Sequence, residues 1–257
     1  MPGDAIGVVR PWPNPGATIR LLCVPHAGGG ASVFNGWPRD LGPRVELCAI
    51  QLPGRESRIT QPPFRDLATL TPVLGRTVAP LTDRPFAMFG HSMGALVSFE
   101  LARWLRARGL PGPVHIFASS RPAPHLPLAR PGAHLLSDDR LVDRVHQMGG
   151  TPAELLADSR FRRLLLPLLR ADIAVNDGYV YRPEPPLDCP ITACGGRDDM
   201  DVDERSLAAW GEHTTGEFRL SKFDGGHFYL QDSRTALLRL LRDVLVRLDV
   251  SGMSAAG

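Results

Sequence analysis

Six short apolar runs recur along the chain with helical periods between them, and this alternation limits the fold more than any single motif does. The runs are TIRLLCVPH (residues 18–26), VELCAIQLP (45–53), PFAMFG (85–90), VHIFAS (114–119), CPITAC (189–194) and EFRLSKF (217–223). Apolar residues fall at helical spacing over 64–81, 93–108, 203–213 and 232–248, the last carrying Leu237, Leu238, Leu241, Leu245 and Leu248. Buried strands separated by helices need cover on both faces, so the pattern predicts an α/β fold with a mainly parallel central sheet. With 257 residues, 43% of them hydrophobic, the chain has enough apolar surface for one such domain with an elaboration. Residues 1–257 are therefore expected to form a single domain.

The elaboration lies between about Arg130 and Tyr181, where no strand signal occurs. SDDRLVDRVHQM (137–148) and RFRRLLLPLLRADIAV (160–175) both read as helices. Between them, Thr151 is placed as an N-cap, Pro152 at the first helical position and Glu154 as the partner that closes a capping box. Some fifty helical residues inserted late in a parallel sheet form a cap, or lid, over the carboxyl edge of its strands. Pro167 should kink the leucine-rich helix. That helix is apolar on nearly every side, as suits a helix wedged between sheet and cap or the wall of an acyl-binding channel.

A net charge of +2 is too small to point to nucleic acid or an anionic membrane as the natural partner, and neither is expected. No segment approaches the ~18 apolar residues that read as a membrane span. The opening MPGDAIGVVRPWPNPG lacks the basic start and apolar core of a secretory signal, so a cytosolic chain is expected. The four cysteines, Cys23, Cys48, Cys189 and Cys194, fall in or beside strand-like runs and read as small buried hydrophobes. CPITAC is their one close pair, so no metal site is expected.

Residues 90–94 read GHSMG. A G-x-S-x-G pentapeptide carries a chance risk in a chain with 26 glycines, so its setting must bear the weight. GHSMG follows the apolar FAMF and opens a helix, the strand–turn–helix setting of a nucleophile elbow. Gly90 and Gly94 remove side chains where strand and helix crowd together, leaving the Ser92 hydroxyl exposed at the sheet edge.

A serine hydroxyl needs a base, and the base needs an orienting acid. Of eight histidines, only His213 and His227 follow a plausible acid after Ser92. His227, in DGGHFYL between a strand and the final helix, can stand over the sheet edge. His213, near the end of a helix, reads as a cation at the negative end of a helix dipole. The acid should follow CPITAC, where GGRDDMDVDE offers both Asp198 and Asp199. The spacing Asp199, Asp201, Asp203 resembles the start of a calcium loop. Glu204 then stands where that loop needs glycine and Trp210 where it needs glutamate, so calcium is excluded. Asp201, Asp203 and Glu204 read as acids around a helix N-terminus. Two backbone donors should face the developing oxyanion: the N–H of Met93, which follows the nucleophile, and that of Ala27 in the glycine-rich VPHAGGGASVF. That loop fits neither the dinucleotide nor the P-loop pattern.

Together LLCVPHAGGGASVF, QLPGRESR, FGHSMGALVSFELAR, SSRPAP, LPLLRADI and DGGHFYL, spread over residues 21–230, resemble the type II thioesterases. These are the stand-alone editing thioesterases of polyketide and nonribosomal peptide synthases. The resemblance implies an α/β-hydrolase fold with a helical lid insertion at about 130–181. It implies Ser92 as nucleophile, His227 as base, and Ala27 and Met93 as oxyanion donors. The family's G-x-x-D-P stretch falls on Gly196 and Asp199, with Met200 where proline is usual, and so assigns the acid to Asp199 with Asp198 in reserve.

The implied substrate is an acyl group on the phosphopantetheine arm of an acyl or peptidyl carrier protein, and the implied role is removal of stalled or misprimed units. No cofactor is implied. The same triad would also serve a carboxylesterase or a fatty acyl thioesterase. A catalytically inactive binding scaffold is the reading from another class, and it leaves the joint presence of elbow, acid, base and oxyanion loop unexplained.

Overall fold

The computed structural model describes residues 6–254. The first five residues, part of the stretch on which the expectation of a cytosolic chain rests, lie outside them.

Strands β1 (Gly7–Val9), β2 (Ile19–Val24), β3 (Val45–Gln51), β4 (Phe86–His91), β5 (His115–Ser119), β6 (Ile191–Gly196) and β7 (Phe218–Phe223) form one sheet in the order β1-β3-β2-β4-β5-β6-β7. Every pairing is parallel except that of β1, which runs antiparallel to β3. The six longer strands coincide with the six apolar runs. β1, with only three residues, is too short to leave a periodic signal.

Strands β2 to β6 are buried along their whole length, and alternate residues feed two cores. Leu22, Val24, Ile50, Met88 and Ile116 face helices α2 (Leu67–Val78) and α3 (Met93–Arg106). Leu21, Cys23, Leu47, Phe89 and Phe117 face α1 (Trp37–Leu41) and the long C-terminal helix, with Trp37, Leu237, Leu241 and Leu245 packed on them. This division is the period-two geometry of a pleated strand, with both faces apolar because both are covered.

The segment between β5 and β6 holds α4 (Asp138–Met148), α5 (Ala153–Ala157) and α6 (Ser159–Asp177) and no strand. Leu141, Val142, Leu156, Leu166 and Leu169 give it a small apolar cluster of its own. The capping box expected at Thr151 is not formed. Pro152 takes an extended ψ of 139°, so α5 begins after it, at Ala153, with no side-chain cap. The capped helix is instead α6, whose N–H groups at Arg160 and Phe161 donate to the Asp158 carboxylate. α6 runs through Pro167; the carbonyl left without a donor belongs to Arg163, which is solvent-exposed and open to water.

After β6 come α7 (Glu204–Ala208), capped by Asp203, and a 3-10 turn at Ala209–His213. α8 (Tyr229–Asp232) and α9 (Arg234–Ser254) follow β7 and close the chain. Among the described residues no helix is long and apolar enough to cross a membrane.

The parallel strands bring the β2, β4, β5, β6 and β7 carboxyl ends to one edge, and glycines let backbone segments meet there. A Cβ on Gly94 would stand 2.1 Å from the Val24 carbonyl oxygen, and one on Gly196 would stand 2.1 Å from the Gly226 carbonyl oxygen. Gly94→Ala should therefore cost about 3 kcal/mol in urea denaturation, because rigid backbone cannot make room. Gly112→Ala, where a Cβ meets nothing within 4 Å, is the control and should stay within about 0.5 kcal/mol of wild type.

Candidate active site

Ser92 stands between β4 and α3 with φ 55° and ψ −114°, a conformation that costs a non-glycine residue about 1–3 kcal/mol and persists only where the surroundings enforce it. The enforcement is visible. The Ser92 N–H donates to the Ser119 carbonyl at the end of β5, 2.7 Å away. A Cβ on Gly90 would collide with the Gly94 carbonyl oxygen at 2.1 Å, so only glycine permits the turn. Met93, as the first residue of α3, has an N–H that no intrahelical carbonyl can take.

His227 lies in the loop from β7 to α8. Its Nδ1 is 2.9 Å from Asp199 Oδ2, and both side chains are buried, at 7% and 1% exposure. The neighbouring Asp198 is exposed, and its backbone N–H donates to the Gly225 carbonyl. That bond, with Arg197 N–H to the Phe223 carbonyl, fastens the acid-bearing loop to the base-bearing loop. Burial pushes the Asp199 carboxyl up. The hydrogen bond and charge of His227, with the Asp201 N–H and the Ser120 hydroxyl, outweigh it and hold Asp199 below the usual carboxylate range.

The Nε2 of His227 is buried with no hydrogen-bond partner within the protein, and His227 and Ser92 line the same cavity. Two further imidazoles crowd this one: His91 at 5.4 Å between ring centroids, and His26 at 5.7 Å from His91. Burial drives His91 well down and His26 to about 3, so both stay neutral. Of these three rings only His227 has a carboxylate beside it, Asp199 at its Nδ1.

The loop bearing Ala27 is braced from an unexpected direction. Asp172 on α6 accepts the Gly28 N–H through Oδ2 at 2.7 Å and takes both Arg55 Nη1 and Nη2 at 2.8 Å. Arg55 also donates to the Gly29 and Pro53 carbonyls. Burial pushes Asp172 up against the pull of Arg55 and the Gly28 N–H. Leu169 packs where a Cβ on Gly28 would sit, and Gly28 has φ +79°. Arg55 and Asp172 had been singled out only as parts of QLPGRESR and LPLLRADI, because nothing in the spacing pairs residues 117 apart.

The cavity has a volume of about 320 Å³. Phe161, Leu165, Leu169 and Ile173, each four residues apart on α6, present one apolar stripe to it. The leucine-rich helix is thus both wedge and wall, with Leu166 and Leu168 buried behind the stripe.

His213 takes no part and is not a helix-end cation. It is buried against Phe99 and Trp210 with its Nε2 2.7 Å from His125 Nδ1, and burial pushes it down to about 4. Of the acids that resemble a calcium loop, Asp203 caps α7 and Asp201 pairs with Arg130 and Arg144. Among the described residues no group of His, Cys, Asp and Glu is arranged to hold a metal ion.

The thioesterase domain family matches this chain over residues 19–245. The gramicidin S biosynthesis protein GrsT of Aneurinibacillus migulanus is 42% identical over 228 residues, 89% of each chain. Among solved structures, the RedJ thioesterase of the prodiginine pathway in Streptomyces coelicolor superposes with a TM-score of 0.84 at 40% identity, over 88% of this chain and 86% of that one. The type II thioesterase BorB of the borrelidin biosynthetic cluster also gives 0.84, at 38% identity over 92% of this chain and 96% of that one.

Removing Asp172 leaves the Arg55 guanidinium buried and uncompensated. Asp172→Ala should lose about 3–5 kcal/mol in urea denaturation, whereas Arg55→Met combined with Asp172→Leu should recover most of that loss. Equal losses in the single and double variants would contradict the paired reading.

Proposed function

The chain belongs to the thioesterase domain family, and from that premise we propose that it hydrolyses acyl groups from the phosphopantetheine arm of acyl or peptidyl carrier proteins. In this role it clears stalled or misprimed units from a polyketide or nonribosomal peptide synthase. It is a thioesterase with the α/β-hydrolase fold of that family. One observation carries the mechanistic reading: His227, paired with Asp199 through Nδ1 and with Nε2 unpartnered, lines the same cavity as Ser92 in its strained turn.

His227 Nε2 takes the Ser92 proton as Oγ attacks the thioester carbonyl carbon. The N–H groups of Ala27 and Met93 receive the oxyanion, and Asp199 stabilises the imidazolium across the Nδ1 bond. Collapse breaks the carbon–sulfur bond, and the pantetheine thiol leaves with the proton from His227. A water then attacks the acyl-serine with His227 again as base, which restores Ser92 and releases the free acid.

This assignment separates the adjacent aspartates. Asp199→Asn should lower kcat about 10⁴-fold, because an amide neither stabilises the imidazolium nor fixes its tautomer. Asp198→Asn should stay within about threefold, since its side chain is exposed. Steady-state kinetics on one acyl thioester rank the two, and the reverse order would move the acid to Asp198.

Carrier recognition has its own test. Contacts remote from the reacting bond improve capture and orientation, so kcat/KM for an acyl-carrier substrate should exceed that for the same acyl group on a short thiol by about tenfold or more at low salt. Carrier proteins are typically acidic, so rising ionic strength should erode that advantage without a comparable effect on the short thiol. Equal efficiency on both at low salt would leave a small-molecule esterase or thioesterase instead.

A further inference from the structure

The acyl cavity is not apolar throughout. Arg121, from the SSRPAP stretch, lines it and is buried to 4% exposure. β4 pairs with β5 through His91 and Ser119, and the Ser92 N–H donates to the Ser119 carbonyl. Arg121 therefore stands two residues beyond Ser119, on the cavity that Ser92 also lines. The chain around it is held firmly, with Trp210 Nε1 donating to the Arg121 carbonyl at 2.8 Å.

Its guanidinium is underused. Nη1 donates to Asn176 Oδ1 on α6 at 3.1 Å, and Nε has no partner. Among the described residues no carboxylate forms an ion pair with it. The other acids on this wall are engaged: Asp177 takes His134 Nδ1 at 2.6 Å, and Asp201 takes Arg130 and Arg144. Burial pushes Arg121 down, with Tyr179 and Asp177 opposing, but only to about 10, so it stays cationic at neutral pH. A buried cation without a carboxylate partner is costly, and an acceptor oxygen on a ligand that meets the guanidinium lowers that cost. The apolar stripe of α6 lines the same cavity, so the cavity offers both an apolar surface and a cationic donor.

We propose that Arg121, oriented by Asn176, is a specificity-determining residue that selects acyl groups carrying an acceptor oxygen close to the thioester, as 3-oxoacyl and 3-hydroxyacyl chains do. The proposal rests on the thioesterase reading and narrows its substrate class. Asn176 acts through Arg121, since its Oδ1 fixes one arm of the guanidinium and leaves the remaining donors to the ligand.

The test uses butanoyl, 3-oxobutanoyl and 3-hydroxybutanoyl thioesters of a single pantetheine-type thiol, with kcat/KM measured on the whole protein. Intrinsic reactivity differs among these acyl groups, so the readout is the oxygenated-to-plain ratio in wild type divided by that in Arg121→Met. A hydrogen bond to a charged donor should make this quotient about tenfold or more. Arg121→Lys, which keeps the charge but loses the planar fork, should retain part of the preference, and Asn176→Ala should give an intermediate quotient.

Melting temperature and the rate at which a phosphonate labels Ser92 report whether each variant is folded. If Arg121→Met does not fold, Arg121→Lys and Asn176→Ala carry the test. A quotient near one, with all three substrates falling together, would overturn the proposal and leave Arg121 a packing role. If wild type hydrolyses none of the three thioesters or any carrier-bound form of them, the parent reading fails instead.

Discussion

The buried pair between Arg55 and Asp172 joins three parts of the chain that lie far apart in sequence. One is the loop after β3, one the glycine-rich loop after β2, and one the inserted helix α6. Taking two charges out of water is expensive, and the arrangement holds because both are satisfied: two parallel bonds link them, and backbone groups of Gly28, Gly29 and Pro53 take up the rest. The consequence for chemistry is indirect and firm. Ala27 sits next to Gly28, so the position of its N–H depends on a carboxylate carried by α6. Helix α6 therefore lines the cavity and braces the glycine-rich loop through one set of contacts.

Strain is concentrated at the same edge of the sheet. Ser92 and Ser120, at the ends of neighbouring strands, both adopt positive φ, at 55° and 45°. Each is held by bonds to backbone: Ser92 N–H to the Ser119 carbonyl, Ser120 N–H to the Cys194 carbonyl, and Ser120 Oγ to the His227 carbonyl. A second network beneath them runs from His91 Nδ1 through Ser119 Oγ to the Tyr229 hydroxyl, with 2.8 Å at each step. The Ser92 turn and the His227 loop thus share supports, which fix their relative position through hydrogen bonds to the strand ends.

Much of this was legible in the sequence because it is local. The six long strands, the helices between them and the helical insertion followed from hydrophobic period, and the turn at Ser92 from two glycines around a serine between strand and helix. Caps at Asp66 and Asp203 follow from short polar side chains preceding helical runs. What stayed hidden was set by distant partners. β1 has three residues and exists only because β3 offers an edge. Thr151 fitted a capping rule that Pro152 defeated by taking an extended ψ. His213 lay where a helix dipole favours a cation, yet Phe99, Trp210 and His125 bury it as a neutral ring. Asp198 and Asp199 are indistinguishable in composition and separate only when the loop, pinned by Asp198 N–H to Gly225, turns one inward. Nothing in their spacing joins Arg55 to Asp172 or Arg121 to Asn176; only the fold brings each pair together.

The central claim is that Ser92 is the acyl-accepting nucleophile of a thioesterase, and the most direct measurement is release of free acid from an acylated carrier protein by Ser92→Ala. Wild type and variant are compared by mass spectrometry of the carrier after each variant preparation has been shown to melt as wild type does. The account predicts a loss of at least about three orders of magnitude in rate, because removing one member disables the activated nucleophile as a unit. A well-folded Ser92→Ala protein that deacylates the carrier at close to the wild-type rate would contradict it.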